Sequence, residues 1–406
     1  MRNFKRTSPR VEEAATVFNP AFSDFIRGTP DFLGTAVFLA RRHGSFTIRL
    51  RRVLDTQHKL EEMLPRLRHS PWLAIDTEAD SLHAYPEKLC LIQISYPEHD
   101  VLVDPLAKLD LAPLFAELAG RELLMHGSDY DLRLFCRYHN FAPHAVFDTM
   151  IASRLLGCRK FGLSDLLAEF LGVTLDKGSQ KANWARRPLT ERMEQYARND
   201  THHLHPLVDS LRARLEEKGR LAWVKESCAQ LVRDCAHYEE PDPNLVWRVK
   251  GSSKLPRKGL AVLREIWRWR EEESISHNRP PFFMLAHEVM TAVANAAAHS
   301  HSYEPIIPRH LTPRRREGLL DAIQRALALP SAEWPHPLPL PPRRYQTEAQ
   351  KKQMEELTRR RDHHARELDI DPTLIASRAT LVELADDWDA NHGKLLLGWQ
   401  RDLLSF

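Results

Sequence analysis

The sequence predicts an α/β domain, in which helices flank a mixed sheet, followed by a C-terminal half that is entirely helical. Short apolar strands at residues 72–75, 89–94 and 101–103 are linked by short turns, which is typical of an antiparallel meander. A helix and a fourth strand at residues 123–125 follow, and this alternation favours a parallel addition to the same sheet. Strand patterns stop near residue 240, so the remainder is expected to be all-α.

Composition and length place the chain among globular proteins with more than one domain. Its 406 residues exceed one ordinary domain, and length alone suggests two or three. Hydrophobic residues make up 43% and charged residues 28%, the balance of a soluble globular protein. A net charge of +3 does not by itself indicate a nucleic-acid partner, so local charge has to be considered instead.

Cysteine usage and hydropathy predict a cytoplasmic protein. The five cysteines are scattered, odd in number and free of CxxC spacing, which favours reduced thiols over disulfides or a zinc site. The longest apolar stretch near the start, residues 32–40, is far shorter than the roughly 20 residues of a membrane span. It lies too deep, and before Arg41 and Arg42, to resemble a secretory signal.

Five segments are expected along the chain. Residues 1–50 carry scattered basic residues without periodicity, and we expect a poorly ordered extension, with a basic RNA-contacting arm as the alternative. The α/β domain should occupy residues 51–240 and a helical domain residues 241–330. Residues 331–349 are rich in proline and predict a stiff linker, which would hold a last helical unit at residues 350–406.

Carboxylates at two places suggest a metal site. Asp76 and Glu78 are two residues apart at the end of a strand, so both side chains lie on one face. They repel each other unless a cation lies between them, although for a bare pair a solvated strand end or turn is the favoured explanation. Asp200 falls within the apolar stripe of a helix, four residues after Tyr196. A buried aspartate needs a metal, a hydrogen-bond donor or a salt bridge.

Two further aspartates have ordinary explanations when taken alone. Asp131 follows the fourth strand and lies in the first turn of a helix, where acidic residues are common. Ser128 or Asp129 could cap that helix. Asp148 is best explained as the cap of a later helix.

Together these residues resemble a known set. The order Asp76-x-Glu78, Asp131 and Tyr196-x-x-x-Asp200 resembles the three exonuclease motifs of the DEDD superfamily, and the tyrosine points to its ribonuclease D branch. The resemblance implies a ribonuclease H-like sheet and 3′→5′ hydrolysis of single strands, which releases nucleoside 5′-monophosphates. It assigns the four carboxylates to metal binding and catalysis, and the tyrosine to positioning the nucleophile.

The resemblance extends over about residues 54–220. Further similar stretches are Tyr85-Pro86 and residues 89–93, 175–177 and 187–190. Residues 79–81 depart from the best-known bacterial enzymes, so the resemblance supports the chemistry more directly than it supports a substrate preference.

The expected chemistry suits these residue types. Two divalent ions about 3.5–4 Å apart can acidify the attacking water and stabilise the leaving 3′ oxygen. Mg²⁺ or Mn²⁺ prefers oxygen ligands, which an all-carboxylate cluster provides. An unperturbed phenol titrates near pH 10 and is a poor base at neutral pH. Tyr196 is therefore expected to orient the attacking water, with proton transfer to its oxygen as the lesser alternative.

A basic loop is the expected substrate contact. Lys177, Lys181 and Arg187 lie in it with Trp184, and they could bind phosphates or simply form a solvated loop. Trp184 could stack on a base or pack beneath the loop. The histidines at residues 202–205 match no common zinc spacing. No GxxxxGK or GxGxxG motif occurs, so no nucleotide cofactor is expected.

The C-terminal segments resemble HRDC domains, the helical modules shared by RecQ-type helicases and ribonuclease D. Residues 254–330 carry the fuller pattern, and the last unit carries a shorter one. Such domains either bind RNA or serve as plain packing modules. The expected partner is the 3′ end of RNA, with tRNA precursors as the family expectation. A single-stranded DNA exonuclease and a catalytically inactive RNA-binding scaffold are the alternatives. Oligomeric state is not predicted.

Overall fold

A computed structural model describes residues 53–175, 178–339 and 346–405. The expected N-terminal extension, Lys177 and part of the proline-rich linker lie outside the described residues. Within the described ranges, no helix combines the length and the apolar character that crossing a membrane would require.

A mixed sheet forms the centre of the first domain, as the sequence predicts. Its strands within the described residues are β1 (Val53–Leu54), β2 (Leu73–Ala79), β3 (Leu89–Tyr96), β4 (His99–Val103), β5 (Glu122–Met125) and β6 (Ala145–Asp148). Their order is β1-β4-β3-β2-β5-β6. The pairs β2–β3 and β3–β4 are antiparallel, whereas β1–β4, β2–β5 and β5–β6 are parallel. The predicted meander with a parallel addition is therefore confirmed.

Helices cover both faces of this sheet. Up to residue 240 the described helices are α1 (Gln57–His69), α2 (Ala112–Ala119), α3 (Asp129–His139), α4 (Thr149–Leu156), α5 (Leu163–Leu171), α6 (Glu191–His202), α7 (Leu204–Glu217) and α8 (Leu221–Cys235). Leu73 and Ile75 of β2 pack into one core with α1, α2 and α3. Ala74 belongs to the opposite core, with α7 and α8. Because side chains alternate along a strand, Asp76 and Glu78 lie on the face of Ala74.

The chain after residue 240 contains helices and no strand among its described residues. Four of the helices, α9 (Arg257–Ser276), α10 (Pro281–Met284), α11 (His287–Ala298) and α12 (Pro313–Ala328), surround a core of their own. The last five are α13 (Glu348–Leu368), α14 (Pro372–Ile375), α15 (Arg378–Asp386), α16 (Trp388–Leu395) and α17 (Gly398–Leu404). The all-helical character expected of HRDC domains is confirmed, whereas the boundaries near residues 240, 330 and 350 stay predictions.

The last five helices share a core with the first domain, which the linker hypothesis does not anticipate. Leu357 and Ile375 are fully buried in one cluster with Leu211 of α7. Trp399 stacks on Trp223 of α8 at 4.9 Å between ring centroids. The apolar faces of α7 and α8 would be exposed without this cover, so burial holds the last unit in place.

The shared core leads to a stability prediction. We expect Trp399→Ala to lower the free energy of unfolding by about 3–5 kcal/mol, because a buried indole is removed from a packed site. The first domain should unfold in the same transition, since the two parts share one core. Denaturant unfolding followed by circular dichroism and by activity measures both. Val382→Ala, at an exposed position, is the control, and independent transitions would contradict the prediction.

Candidate active site

Three elements bring the predicted catalytic side chains to one cleft of about 500 Å³. The end of β2 supplies Asp76 and Glu78, helix α6 supplies Tyr196 and Asp200, and the first turn of α3 supplies Asp131. These residues are spread over more than a hundred positions of sequence. The mixed sheet assembles them because β2 is central and α6 packs across its face.

Three of the four carboxylates are close enough to share a metal ion. Single ligand oxygens of Asp76, Glu78 and Asp200 all lie within 4.8 Å of one another. Among the described residues, this is the one group of three or more acidic, histidine or cysteine side chains that meets this criterion. The fourth carboxylate, of Asp131, lines the same cleft but accepts a hydrogen bond from the Thr77 hydroxyl. The cluster is suited to a hard cation with oxygen ligands.

Burial raises the pKa of every carboxyl group in the cluster, and mutual repulsion adds to the rise for Asp76 and Glu78. The pKa of Asp76 lies well above its ordinary value because of burial, then repulsion from Asp131, Asp200 and Glu78. Burial, then repulsion from Asp200 and Asp131, raises the pKa of Glu78 to about 9. Burial raises the pKa of Asp200 to about 7. Burial also raises the pKa of Asp131 to about 6, and the hydrogen bond from Thr77 opposes that rise. A divalent cation would relieve this repulsion.

These shifts predict that stability without metal falls as pH rises. A carboxyl group whose pKa is raised in the folded state holds a proton that the unfolded chain releases, so folding is penalised above the unfolded-state pKa. For Glu78 this window runs from its unperturbed 4.5 to about 9. We expect the melting temperature in EDTA to fall from pH 5 to pH 9, and Mg²⁺ to restore it most strongly at pH 9. Thermal melts at pH 5, 7 and 9 measure this. In Glu78→Gln the fall should be smaller, and a pH-independent difference between the two proteins would contradict it.

Tyr196 lies over the cluster as a neutral hydrogen-bonding group. Its hydroxyl lies near the Asp200 carboxylate, and its ring centroid lies 6.0 Å from that of Trp184. Burial, and then the nearby carboxylates of Asp200, Glu78 and Asp76, raise the pKa of Tyr196 above its ordinary value. Ionisation at neutral pH is therefore disfavoured, and the phenol can orient a water molecule more readily than it can remove a proton from one.

Asp148 holds the turn that carries Asp131. Its carboxylate accepts hydrogen bonds from the backbone N–H groups of Gly127, Ser128 and Met150, so its predicted role as a helix cap is confirmed. Gly127 has a φ of 64°, and a Cβ atom there would lie 2.8 Å from Met150 Cε. The positive φ at this turn between β5 and α3 therefore favours glycine.

The basic loop requires a correction for two residues. Arg187 is committed to a structural ion pair, because its Nε and Nη2 donate to Asp104 at 2.6 and 2.7 Å and Nη1 donates to the Trp184 carbonyl. Trp184 is buried, so of the two alternatives it packs beneath the loop and offers no face to a base. Lys181 is exposed and remains available, whereas Lys177 lies outside the described residues.

Several residues of the cleft were not predicted from sequence. They are Thr77, His126, Tyr130, Asp165, Gln180 and Asn199. Asn199 adjoins Asp200 on the helix, and His126 follows a strand end, so position alone could have indicated both. Asp165 and Gln180 reach the cleft from α5 and from the loop before α6, and no local pattern indicates this. Gln93, fully buried, lies opposite Asp76 in the β2–β3 register.

Comparison with protein-family models agrees with this geometry. Residues 51–216 match the family described as 3′-5′ exonuclease. This range includes β2, α3 and α6 with their carboxylates. The class of protein is therefore that of the 3′→5′ exonucleases.

Similar proteins narrow the class. The chain is 35% identical over 285 residues to ribonuclease D of Pseudomonas paraeruginosa, and the aligned region covers 68% of this chain and 75% of that protein. It is 31% identical over 365 residues to ribonuclease D of Granulibacter bethesdensis, with 86% and 90% covered. The crystal structure of Escherichia coli RNase D, an exoribonuclease involved in structured RNA processing, matches at a TM-score of 0.66 and 25% identity, over 87% of this chain and 96% of that one. The chain belongs to the ribonuclease D family of 3′→5′ exoribonucleases.

Proposed function

We propose that the chain removes nucleotides one at a time from RNA 3′ ends, releasing nucleoside 5′-monophosphates, with two divalent cations, Mg²⁺ or Mn²⁺. The observation that carries this proposal is the cluster of Asp76, Glu78 and Asp200, whose oxygens lie within 4.8 Å of one another, with Asp131 in the same cleft. Four carboxylates in one cleft have no other evident purpose, because their mutual repulsion works against folding.

The residues of the site would have separate roles in the reaction. Asp76, Glu78, Asp200 and Asp131 would hold the cations, which would supply an activated water and neutralise charge on the leaving 3′ oxygen. Tyr196 would orient that water through its hydroxyl, and Lys181 would contact phosphate from the exposed loop.

Structured RNA, with tRNA precursors as the specific case, is the substrate we propose. Support comes from the Escherichia coli relative, an exoribonuclease involved in structured RNA processing. We place the protein in the cytoplasm, where its five free cysteines would stay reduced.

Matched single strands that differ only in the 2′-hydroxyl test this proposal. A 5′-labelled RNA and the DNA of the same sequence are incubated with Mg²⁺, with Mn²⁺ or with EDTA. We expect a ladder shortened from the 3′ end for RNA, nucleoside 5′-monophosphates as products, and no cleavage in EDTA. A preference for DNA would favour the DNA exonuclease, and binding without cleavage would favour the inactive scaffold. A tRNA precursor with a 3′ trailer then tests the proposed substrate against an unstructured strand of equal length.

A further inference from the structure

Three cavities adjoin one another through shared lining residues, and the first of them contains the carboxylates. The active-site cleft shares Tyr130 with a second cavity of about 570 Å³. That cavity shares Glu87 and Arg137 with a third of about 300 Å³, which is lined on its far side by Phe282. The second and third cavities, here called the lateral groove, thus connect the cleft to the helical region beyond residue 240.

Aromatic rings are exposed in all three cavities. Tyr130 is 44% exposed, Tyr238 42% and Phe282 54%. Tyr138 is also exposed, and the Arg137 guanidinium lies 5.3 Å from its ring centroid and 5.2 Å from that of Tyr238. Exposed aromatic surface of this extent, continuous with a catalytic cleft, is typical of a ligand-binding groove.

The side chains of the groove are fixed rather than loose. The Tyr130 hydroxyl donates to the Glu87 carboxylate at 2.6 Å, and the Tyr138 hydroxyl donates to the Glu87 carbonyl. The same carboxylate forms an ion pair with Arg137 at 3.5 Å. One acidic residue thereby orients two rings and a guanidinium, and its own negative charge is offset. Ring faces that are oriented before binding lose little freedom when a ligand stacks on them.

The two walls of the groove are held together near the catalytic strand. Residues 80–88 begin two positions after Glu78, and the backbone N–H of Tyr85 donates to Asn278 Oδ1 at 3.2 Å. The Tyr85 hydroxyl donates to Glu271 of α9. These contacts fix Phe282 relative to β2, so a strand that enters the cleft has a defined path along both walls.

We infer that the lateral groove binds the single-stranded RNA that lies 5′ of the 3′-terminal dinucleotide, with Tyr130, Tyr238 and Phe282 stacking on bases. This inference rests on the proposed function. The chemistry favours bases over phosphates here, because rings are exposed while Arg137 and Arg133 are already paired with Glu87 and Asp129. Stacking accepts every base, as removal of successive nucleotides from any sequence requires.

The first test compares two substrate lengths. A 12-nucleotide RNA extends beyond the cleft, whereas a dinucleotide does not leave it. We expect Tyr238→Ala and Phe282→Ala each to lower kcat/KM for the 12-nucleotide RNA about tenfold relative to the dinucleotide, mainly through KM. Tyr238→Phe keeps the ring and should restore the wild-type ratio. Val382→Ala, at an exposed position in α15, is the matched control. An unchanged ratio in both alanine variants would overturn the inference.

The second test identifies stacking itself. Anisotropy titrations in EDTA use the 12-nucleotide RNA with a single abasic position moved along the strand. For at least one position, the abasic strand should bind wild-type protein about tenfold more weakly, and Phe282→Ala should bind intact and abasic strands equally. Additive losses at every position would refute base stacking and leave a protein segment as the alternative occupant. Because binding is measured without hydrolysis, a chain that binds RNA in this way but does not cut it would refute the proposed function alone.

Discussion

Replacement of Asp76 by asparagine should lower turnover by at least about 10³-fold and, in EDTA at neutral pH, raise the melting temperature. Repulsion from three other carboxylates contributes to the raised pKa of Asp76. Losing its charge removes a cation ligand needed for hydrolysis and also removes repulsion that opposes folding. Activity and stability should therefore change in opposite directions.

Paired measurements check this expectation. Turnover on labelled RNA with Mg²⁺ and thermal melts in EDTA are recorded for Asp76→Asn, Asp131→Asn and Asp129→Asn. The last is the control, because Asp129 is exposed and forms an ion pair with Arg133 at 3.0 Å. It should retain most activity and gain no stability. An inactive Asp129→Asn beside an active Asp131→Asn would show that the second motif is aligned wrongly.

Tyr196→Phe should lower kcat about 10²-fold while RNA affinity changes little. The substitution removes the hydroxyl near Asp200 and leaves the ring beside Trp184. Single-turnover rates report the chemical step, and anisotropy in EDTA reports affinity. An unchanged kcat would show that the carboxylates and their cations prepare the water without this tyrosine.

The pH dependence of the same variant separates the two roles considered for the phenol. If Tyr196 orients water, the wild type and Tyr196→Phe should show parallel pH–rate profiles at different heights. If its oxygen accepted a proton, the variant would lose a limb of the profile. We expect parallel profiles, because burial and neighbouring carboxylates raise the pKa of this phenol and keep it neutral.

Sequence patterns were sufficient for four of the six described strands and for the main carboxylates. Period-two alternation placed Asp76 and Glu78 on one face, and the helical period placed Tyr196 and Asp200 on one side. Both are local properties of one element. Strand β1 is only Val53–Leu54, too short to show alternation, and it is held by parallel pairing with β4.

Contacts between distant segments could not be predicted in this way. Arg187 in a basic loop is an equally good phosphate ligand or structural residue until its partner is known, and Asp104 lies 83 positions earlier. The packing of the last helices on α7 and α8 could not be predicted either. An amphipathic pattern indicates that one face of a helix is buried, but it does not indicate which other element covers that face. The same limit applies to the lateral groove, whose rings come from α3, residue 238 and α10.

The shared core also has a consequence during synthesis. Ser227 of α8 and Trp399, which donates a hydrogen bond to it, are 172 positions apart. A nascent chain whose catalytic segment has left the ribosome therefore displays the uncovered apolar faces of α7 and α8 until the final helices emerge. The central helices, which have a core of their own, can fold meanwhile. Exposed apolar surface of this kind binds chaperones and promotes aggregation. The core that α7 and α8 contribute to is therefore formed only after α13–α17 have been translated, and a chain that terminates before them would leave these faces uncovered.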